Sequence, residues 1–223
     1  MRAGFYYQGH HHQVAAQIRE FLNSSGGFLT PETAQSPRAV GDALESLVAG
    51  RFPSFLGSRC REYSSEFARR SMADFAFTDF EGVYSLIDVK SHNEDTRFNM
   101  PNLTSVERLT RLYESDSNVF SMIMIRYSVR GTHLEVSDVL FTPIEFLDWD
   151  CLTVGALGWG QIQIANSNNI RTQEGYSRRK WMLQLCDAML EFYPREIGKI
   201  TERMQRFEEV KAYWSGREDL WAS

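Results

Sequence analysis

Three residues in the middle of the chain, Asp74, Asp88 and Lys90, have types and spacing that suit phosphodiester chemistry. Asp88 and Lys90 stand two apart in the run Val83-Tyr-Ser-Leu-Ile-Asp-Val-Lys90, whose β-rich composition predicts a strand. On a strand their side chains leave one face roughly 6 to 7 Å apart while Val89 points the other way. An anion and a cation then stand side by side. Asp74 lies in the preceding β-rich run, residues 73–78, and Asp79-Phe-Glu-Gly82 between the two reads as a turn. An antiparallel hairpin follows, able to set Asp74 beside Asp88. Two carboxylates are oxygen donors for a hard cation such as Mg²⁺, with the Val89 backbone carbonyl as a further candidate ligand. An ammonium beside them can orient or acidify an attacking water and neutralise charge building up on a phosphate. An exposed Asp-Lys pair at a strand end is the alternative that spacing alone leaves open.

The elements that must position this trio are legible from periodicity. Residues 13–22 carry Val14, Ile18 and Leu22 at helical spacing, and residues 38–52 carry Val40, Leu44, Leu47 and Val48, so two helices are predicted, the second ending near Gly50 ahead of Pro53. His10, His11 and His12 precede the first helix; adjacent histidines point in different directions, so they read as exposed rather than as metal ligands. Strands are predicted at 119–129, at 133–141 after an Arg130-Gly131-Thr132 turn, and at 161–165, with a helix near 105–114. Two closing helices are predicted, 177–193 and 194–214, with Pro194 in the first turn of the second. The pattern is mixed, α/β or α+β: a central mixed β-sheet flanked by helices, in one domain spanning residues 1–223.

At 223 residues and 43% hydrophobic content there is material for one sizeable core. No apolar run of about 18 residues and no secretion-signal layout occurs, so a cytoplasmic protein without a membrane segment is expected. Cys60, Cys151 and Cys186 lack CxxC spacing, which argues against disulfides and thiolate metal sites and for core or half-buried thiols. The net charge of -5 speaks against a broad basic footprint. Basic residues do gather at Arg51, Arg59, Arg61, Arg69 and Arg70, and again at Arg171, Arg178, Arg179 and Lys180, which allows a local basic cleft or merely solvated faces.

The run Ile87-Asp88-Val89-Lys90-Ser91-His92-Asn93, with Ala73-Asp74-Phe75 before it and Asn99-Met100-Pro101-Asn102 after it, resembles the PD-(D/E)xK nuclease superfamily. Within it the chain is most similar to the HincII-like and EcoRV-like type II restriction endonucleases. The resemblance covers about residues 38–195 and implies a restriction-endonuclease-like fold, a homodimer, and Mg²⁺-dependent hydrolysis of double-stranded DNA at a palindromic site, leaving 5′-phosphate and 3′-hydroxyl ends. It makes Asp74, Asp88 and Lys90 catalytic and assigns Glu45, in Gly41-Asp-Ala-Leu-Glu-Ser-Leu-Val48, to the family's acidic helix. Asn99 and Asn102 match amides of a loop that lies against DNA, and Gln161-Ile-Gln163 resembles a strand near the recognition loop. Ser91, His92 and Asn93 continue the motif toward DNA, His92 suiting a loop or phosphate contact better than a general base. Departures are Ala73 for the motif's proline, Ser91 for a usual threonine and Asn99 for a glutamine; the last puts DNA distortion by that side chain in doubt. Trp159, framed by Gly158 and Gly160, reads either as a ring that stacks on or wedges between bases or as a core anchor. The first two helices are candidate dimer contacts. A repair or recombination nuclease and a non-catalytic interaction domain remain as alternatives, since a fold does not fix a role.

Overall fold

In the computed structural model residues 4–65, 73–97 and 99–219 are described, so Arg69 and Arg70 of the first basic group lie outside the described residues. The elements are, in order, α1 (Gly4–Tyr7), α2 (His10–Ser24), α3 (Pro31–Ala34), α4 (Pro37–Leu56), β1 (Cys60–Ser64), β2 (Phe75–Asp79), β3 (Tyr84–Asn93), β4 (Asn102–Ser105), α5 (Val106–Leu112), β5 (Asn118–Arg130), β6 (His133–Pro143), β7 (Leu152–Gly155), β8 (Gln161–Ile164) and α6 (Arg178–Ser215). Two units divide the chain, Met1–Trp181 and Met182–Ser223.

In the first unit β3 is the middle strand of a mixed sheet ordered β1-β2-β3-β5-β6. The expected hairpin is formed: β2 and β3 pair antiparallel with Phe75 opposite Ile87, and Asp79 Oδ1 closes the turn by accepting the Glu81 and Val83 N–H groups at 2.9 Å each. β5 runs parallel to β3, with Asp88 opposite Met122 and Lys90 opposite Met124, and β6 returns antiparallel. On one face, Ile87, Val89, Val119, Ile123 and Ile125 meet Val14, Ile18 and Leu22 of α2 and Val40, Leu44, Val48 and Phe52 of α4. Leu86, Phe120, Met122 and Met124, which alternate to the opposite face, are equally buried. The central strands are thus covered on both sides, as parallel strands usually are, and a carboxylate leaving β3 enters apolar surroundings. A second sheet, ordered β4-β8-β7, stands apart from the first.

Several expectations are corrected. α4 does not stop near Gly50 but runs through Pro53 to Leu56. A proline leaves the carbonyl four residues back without its helical donor, and here the Tyr63 hydroxyl donates to the Ala49 carbonyl at 2.6 Å. α6 is one helix with Pro194 inside it rather than two. β1, β4 and β7 were not expected; they are short and do not alternate cleanly. His11 belongs to α2, which starts at His10, and shares the buried face of Val14, Ala15, Ile18 and Leu22. Burial, and then the neighbouring His12, pull its pKa down to about 4, so this ring is neutral at pH 7 rather than an exposed decoration. The cysteines are free, but Cys186 is exposed rather than half-buried. The apolar faces of α2 and α4 are taken up by the core of their own unit.

Arg178, of the second basic group, is taken up by an ion pair. It is held against the buried Glu145 carboxylate, Nη2 at 2.8 Å and Nε at 2.9 Å from Oε1, and the Tyr113 hydroxyl donates to the other oxygen at 2.8 Å. The guanidinium lies over the Tyr113 ring, 4.4 Å from its centroid. Removing one member of a buried pair strands the other charge, so Glu145→Ala should lower the free energy of unfolding by about 3–5 kcal/mol. Urea denaturation of the variant measures this; a loss in the range of a surface pair, below about 1 kcal/mol, would contradict the buried network.

Candidate active site

Strand alternation puts Asp88 and Lys90 on the face of β3 away from α4, and there Lys90 Nζ donates to Asp88 Oδ1 at 2.7 Å. Asp88 is only 5% exposed, and its second oxygen, Oδ2, is buried without a hydrogen bond. Asp74 lies just before β2. Its N–H donates to the Ile87 carbonyl at 2.9 Å, and its Oδ2 accepts the Val89 N–H at 2.6 Å. The hairpin therefore carries Asp74 to the position beside Asp88 that the turn chemistry predicted, with the Val89 peptide bonded to it.

Glu45 comes from the other wall. α4 contributes Pro37, Gly41 and Glu45, spaced one helical turn apart, to a cleft of about 500 Å³ whose opposite side is Val89, Lys90, Ser91 and Asn93. A Cβ added at Gly41 would lie 2.9 Å from Ser91 Oγ, so the helix approaches the strand this closely because residue 41 has no side chain. One turn later Glu45 is near enough to act on Asp88. Burial pushes the Asp88 pKa up to about 7; Lys90 opposes this, and the negative charges of Asp74 and then Glu45 add to it. Two further carboxylates thus act on Asp88, whose own oxygen holds the Lys90 Nζ.

This arrangement fits a hard divalent cation. All the donors are carboxylate oxygens, the group is more negative than Lys90 can balance, and a buried Asp88 oxygen lacks the partner that a buried anion requires. Asp74 and Asp88 could hold such an ion, with Glu45 facing them from α4.

The other residues singled out from the sequence fall into three groups. Ser91, Asn93 and Asn99 line the cleft with Val89. His92 does not: it is 1% exposed, its Nε2 lies 2.7 Å from Asn168 Oδ1 and its Nδ1 3.1 Å from Ser167 Oγ. The expected DNA contact by its ring is corrected to a support role, because Ser167 Oγ also accepts the Asn99 N–H at 3.0 Å, tying the rim of the cleft to β3. Asn102, Gln161 and Gln163 sit instead on the second sheet, where Gln163 Nε2 donates to Asn102 Oδ1 at 2.5 Å. Trp159, in the turn joining β7 to β8, is 55% exposed, which excludes the core-anchor reading.

Sequence reasoning missed Arg38, Asp42 and Thr96, which also line the cleft. Arg38 could have been found, since it lies on the same helical face as Gly41 and Glu45. Arg59, Arg61 and Arg171 contact Gln13, Glu62 and Asp150, and no described member of the two basic groups lines the cleft. No protein-family model matches the chain, and no curated protein matches it.

The raised Asp88 pKa has a consequence for stability. Between the ordinary aspartate range and about 7, the folded chain keeps a proton that the unfolded chain has released. Stability is therefore greatest below that window and falls as pH rises through it. Asp88→Asn removes the buried charge, so in metal-free buffer the variant should exceed the wild type in stability by a few kcal/mol at about pH 8, and the gap should close toward about pH 4. Thermal or urea unfolding at both pH values reads it. A gap that stays constant with pH would mean the Asp88 carboxylate is not held in apolar surroundings.

Proposed function

We propose that the chain is a type II restriction endonuclease with a restriction-endonuclease-like fold, acting in the cytoplasm on double-stranded DNA at a palindromic site and leaving 5′-phosphate and 3′-hydroxyl ends. The observation that carries the reading is the buried Asp88, one oxygen on Lys90 and the other without a hydrogen bond, with Asp74 and Glu45 close enough to raise its pKa and with Lys90 and Glu45 on the wall of the adjoining cleft. Asp74 and Asp88, with Glu45, would hold Mg²⁺, which when bound supplies Lewis acidity toward a phosphoryl oxygen and lowers the pKa of an attacking water.

The remaining chemistry belongs to the chain. Lys90, fixed by Asp88 Oδ1, would face the phosphoryl oxygens on which negative charge develops, and such preorganised groups lose no reorganisation energy during the reaction. Arg38 at the start of α4 offers a planar guanidinium to a phosphate at the cleft, while the amides of Asn93 and Asn99 suit backbone positioning. Asn102, Gln161 and Gln163, with the exposed Trp159 ring beyond them, present amides and an aromatic face from the second sheet. These are groups that read base edges and stack on bases.

An apolar seam in the second unit supports the homodimer that a palindromic site requires. Leu190, Tyr193, Ile197, Ile200, Met204, Phe207 and Trp214 are all exposed and fall alternately three and four apart along α6, with Lys211 in the one gap. That is a coiled-coil period. Arg203 and Glu208 flank the seam as the positions that meet across a parallel, in-register pair, so a second copy of the same helix matches it in both shape and charge.

Incubation of the full chain with plasmid DNA and Mg²⁺, then with EDTA, tests the activity. Discrete fragments abolished by EDTA are expected; a smear or structure-selective nicking would favour a repair nuclease, and intact DNA would contradict both. Lys90→Ala should lower the cleavage rate by about 100- to 1,000-fold while leaving DNA binding nearly unchanged, as gel shift in Ca²⁺ would show; near-normal cleavage would remove Lys90 from the mechanism. For the dimer, Phe207→Asp should convert the sedimenting species from dimer to monomer, and a monomeric wild type would contradict the seam.

A further inference from the structure

His11 and His12 are consecutive on α2, yet both turn their Nε2 atoms to the same oxygen. Glu174 Oε2 lies 3.5 Å from His11 Nε2 and 3.6 Å from His12 Nε2, and one donor atom from each residue lies within 4.8 Å of the other two. The His11 ring is fully buried, and its nitrogens meet only a weak Phe5 backbone contact and the Glu174 oxygen at 3.5 Å, although a polar ring is not ordinarily buried without a full hydrogen bond. The two separations from the Glu174 oxygen match donors that share a tetrahedral ion, which at about 2.0–2.2 Å from the metal stand about 3.3–3.6 Å apart.

We infer that His11, His12 and Glu174 form a transition-metal site, distinct from the acidic cleft, that takes a zinc-class ion. Two imidazole nitrogens and one carboxylate oxygen are a donor set for Zn²⁺, Co²⁺ or Ni²⁺, whereas the all-carboxylate cluster of Asp74 and Asp88 suits Mg²⁺. Bound there, the ion satisfies the buried His11 nitrogen. Half of each of the other two side chains is exposed, 55% for His12 and 48% for Glu174, which leaves an entry path and a fourth position for water. Its effect is mechanical. The Glu174 segment is already joined to the body of the first unit, the Gln173 N–H donating to the Phe146 carbonyl at 2.7 Å and the Tyr7 hydroxyl to the Tyr176 carbonyl at 2.9 Å. A metal clamps α2 to that segment at a third point.

The experiment uses the full chain carrying Asp88→Asn, so that binding at the acidic cleft is weakened and nuclease activity plays no part in the readout. After EDTA treatment and dialysis, Co²⁺ is titrated and the visible ligand-field absorption followed, and Zn²⁺ is titrated against a chelating dye. A single equivalent of each is expected, with the intense absorption of a tetrahedral Co²⁺ site and a rise in melting temperature on adding Zn²⁺. His12→Gln and Glu174→Gln, both exposed and tolerable to the fold, should each weaken binding at least about tenfold, the lower bound for disturbing a metal's surroundings. His11→Gln is read only if its circular dichroism matches the parent. Failure of the Asp88→Asn chain to bind Zn²⁺ stoichiometrically, or unchanged affinity in the His12 and Glu174 variants, would overturn the inference and leave the cleavage reading untouched.

Discussion

A carboxylate buried beneath the middle strand of a sheet, with one oxygen on a lysine and the other on nothing, is the constraint around which the first unit is arranged. Asp88 is buried because β3 is a central strand, paired in parallel with β5 and covered on both faces. The apolar packing that stabilises the sheet is thus the same packing that makes the charge at Asp88 unfavourable. Lys90 offsets part of that penalty, while Asp74 and Glu45 increase it. A site with this balance is strained toward protonation, which couples the ionisation of Asp88 to the stability of the sheet.

Two backbone devices bring the remaining groups in. The Asp79 turn sets the hairpin register so that Asp74 meets the Val89 peptide. The missing side chain at Gly41 lets α4 lie against Ser91, so that Glu45 faces the same place from a different element. His92 then works from behind the strand, fixing the turn at Ser167 and Asn168 on which Asn99 rests. The cleft is consequently assembled from one hairpin, one helix and one buttressed loop, each anchored to the same core.

What was legible in the sequence was what local periodicity encodes. Alternation gave the hairpin and its facing acids, and three-four spacing gave α2 and α4, because one buried face per element repeats with the geometry of that element. Contacts between residues far apart in the chain were not legible: Arg178 with Glu145, His92 with Ser167, and Glu174 with His11 all depend on how loops return to the sheet. The error at His11 was avoidable, since residues 11, 14, 18 and 22 continue one helical stripe. The error at Pro53 was not, because the group that compensates for the proline is a tyrosine hydroxyl arriving from the next strand. Single prolines and short strands such as β4 and β7 are governed by tertiary partners rather than by their own pattern.

The most direct test of the central claim is to locate the ion itself. Mn²⁺ takes the oxygen ligands that Mg²⁺ takes and scatters X-rays anomalously, so crystals of the wild-type chain grown with Mn²⁺ at about pH 8, above the Asp88 transition, give its position without reference to DNA. The expected result is an anomalous peak in contact with Asp88 Oδ2 and Asp74, absent from the Asp88→Asn variant. No peak there at saturating Mn²⁺, or a peak unchanged by the substitution, would contradict the account of Asp88 as an anion held in readiness for a cation.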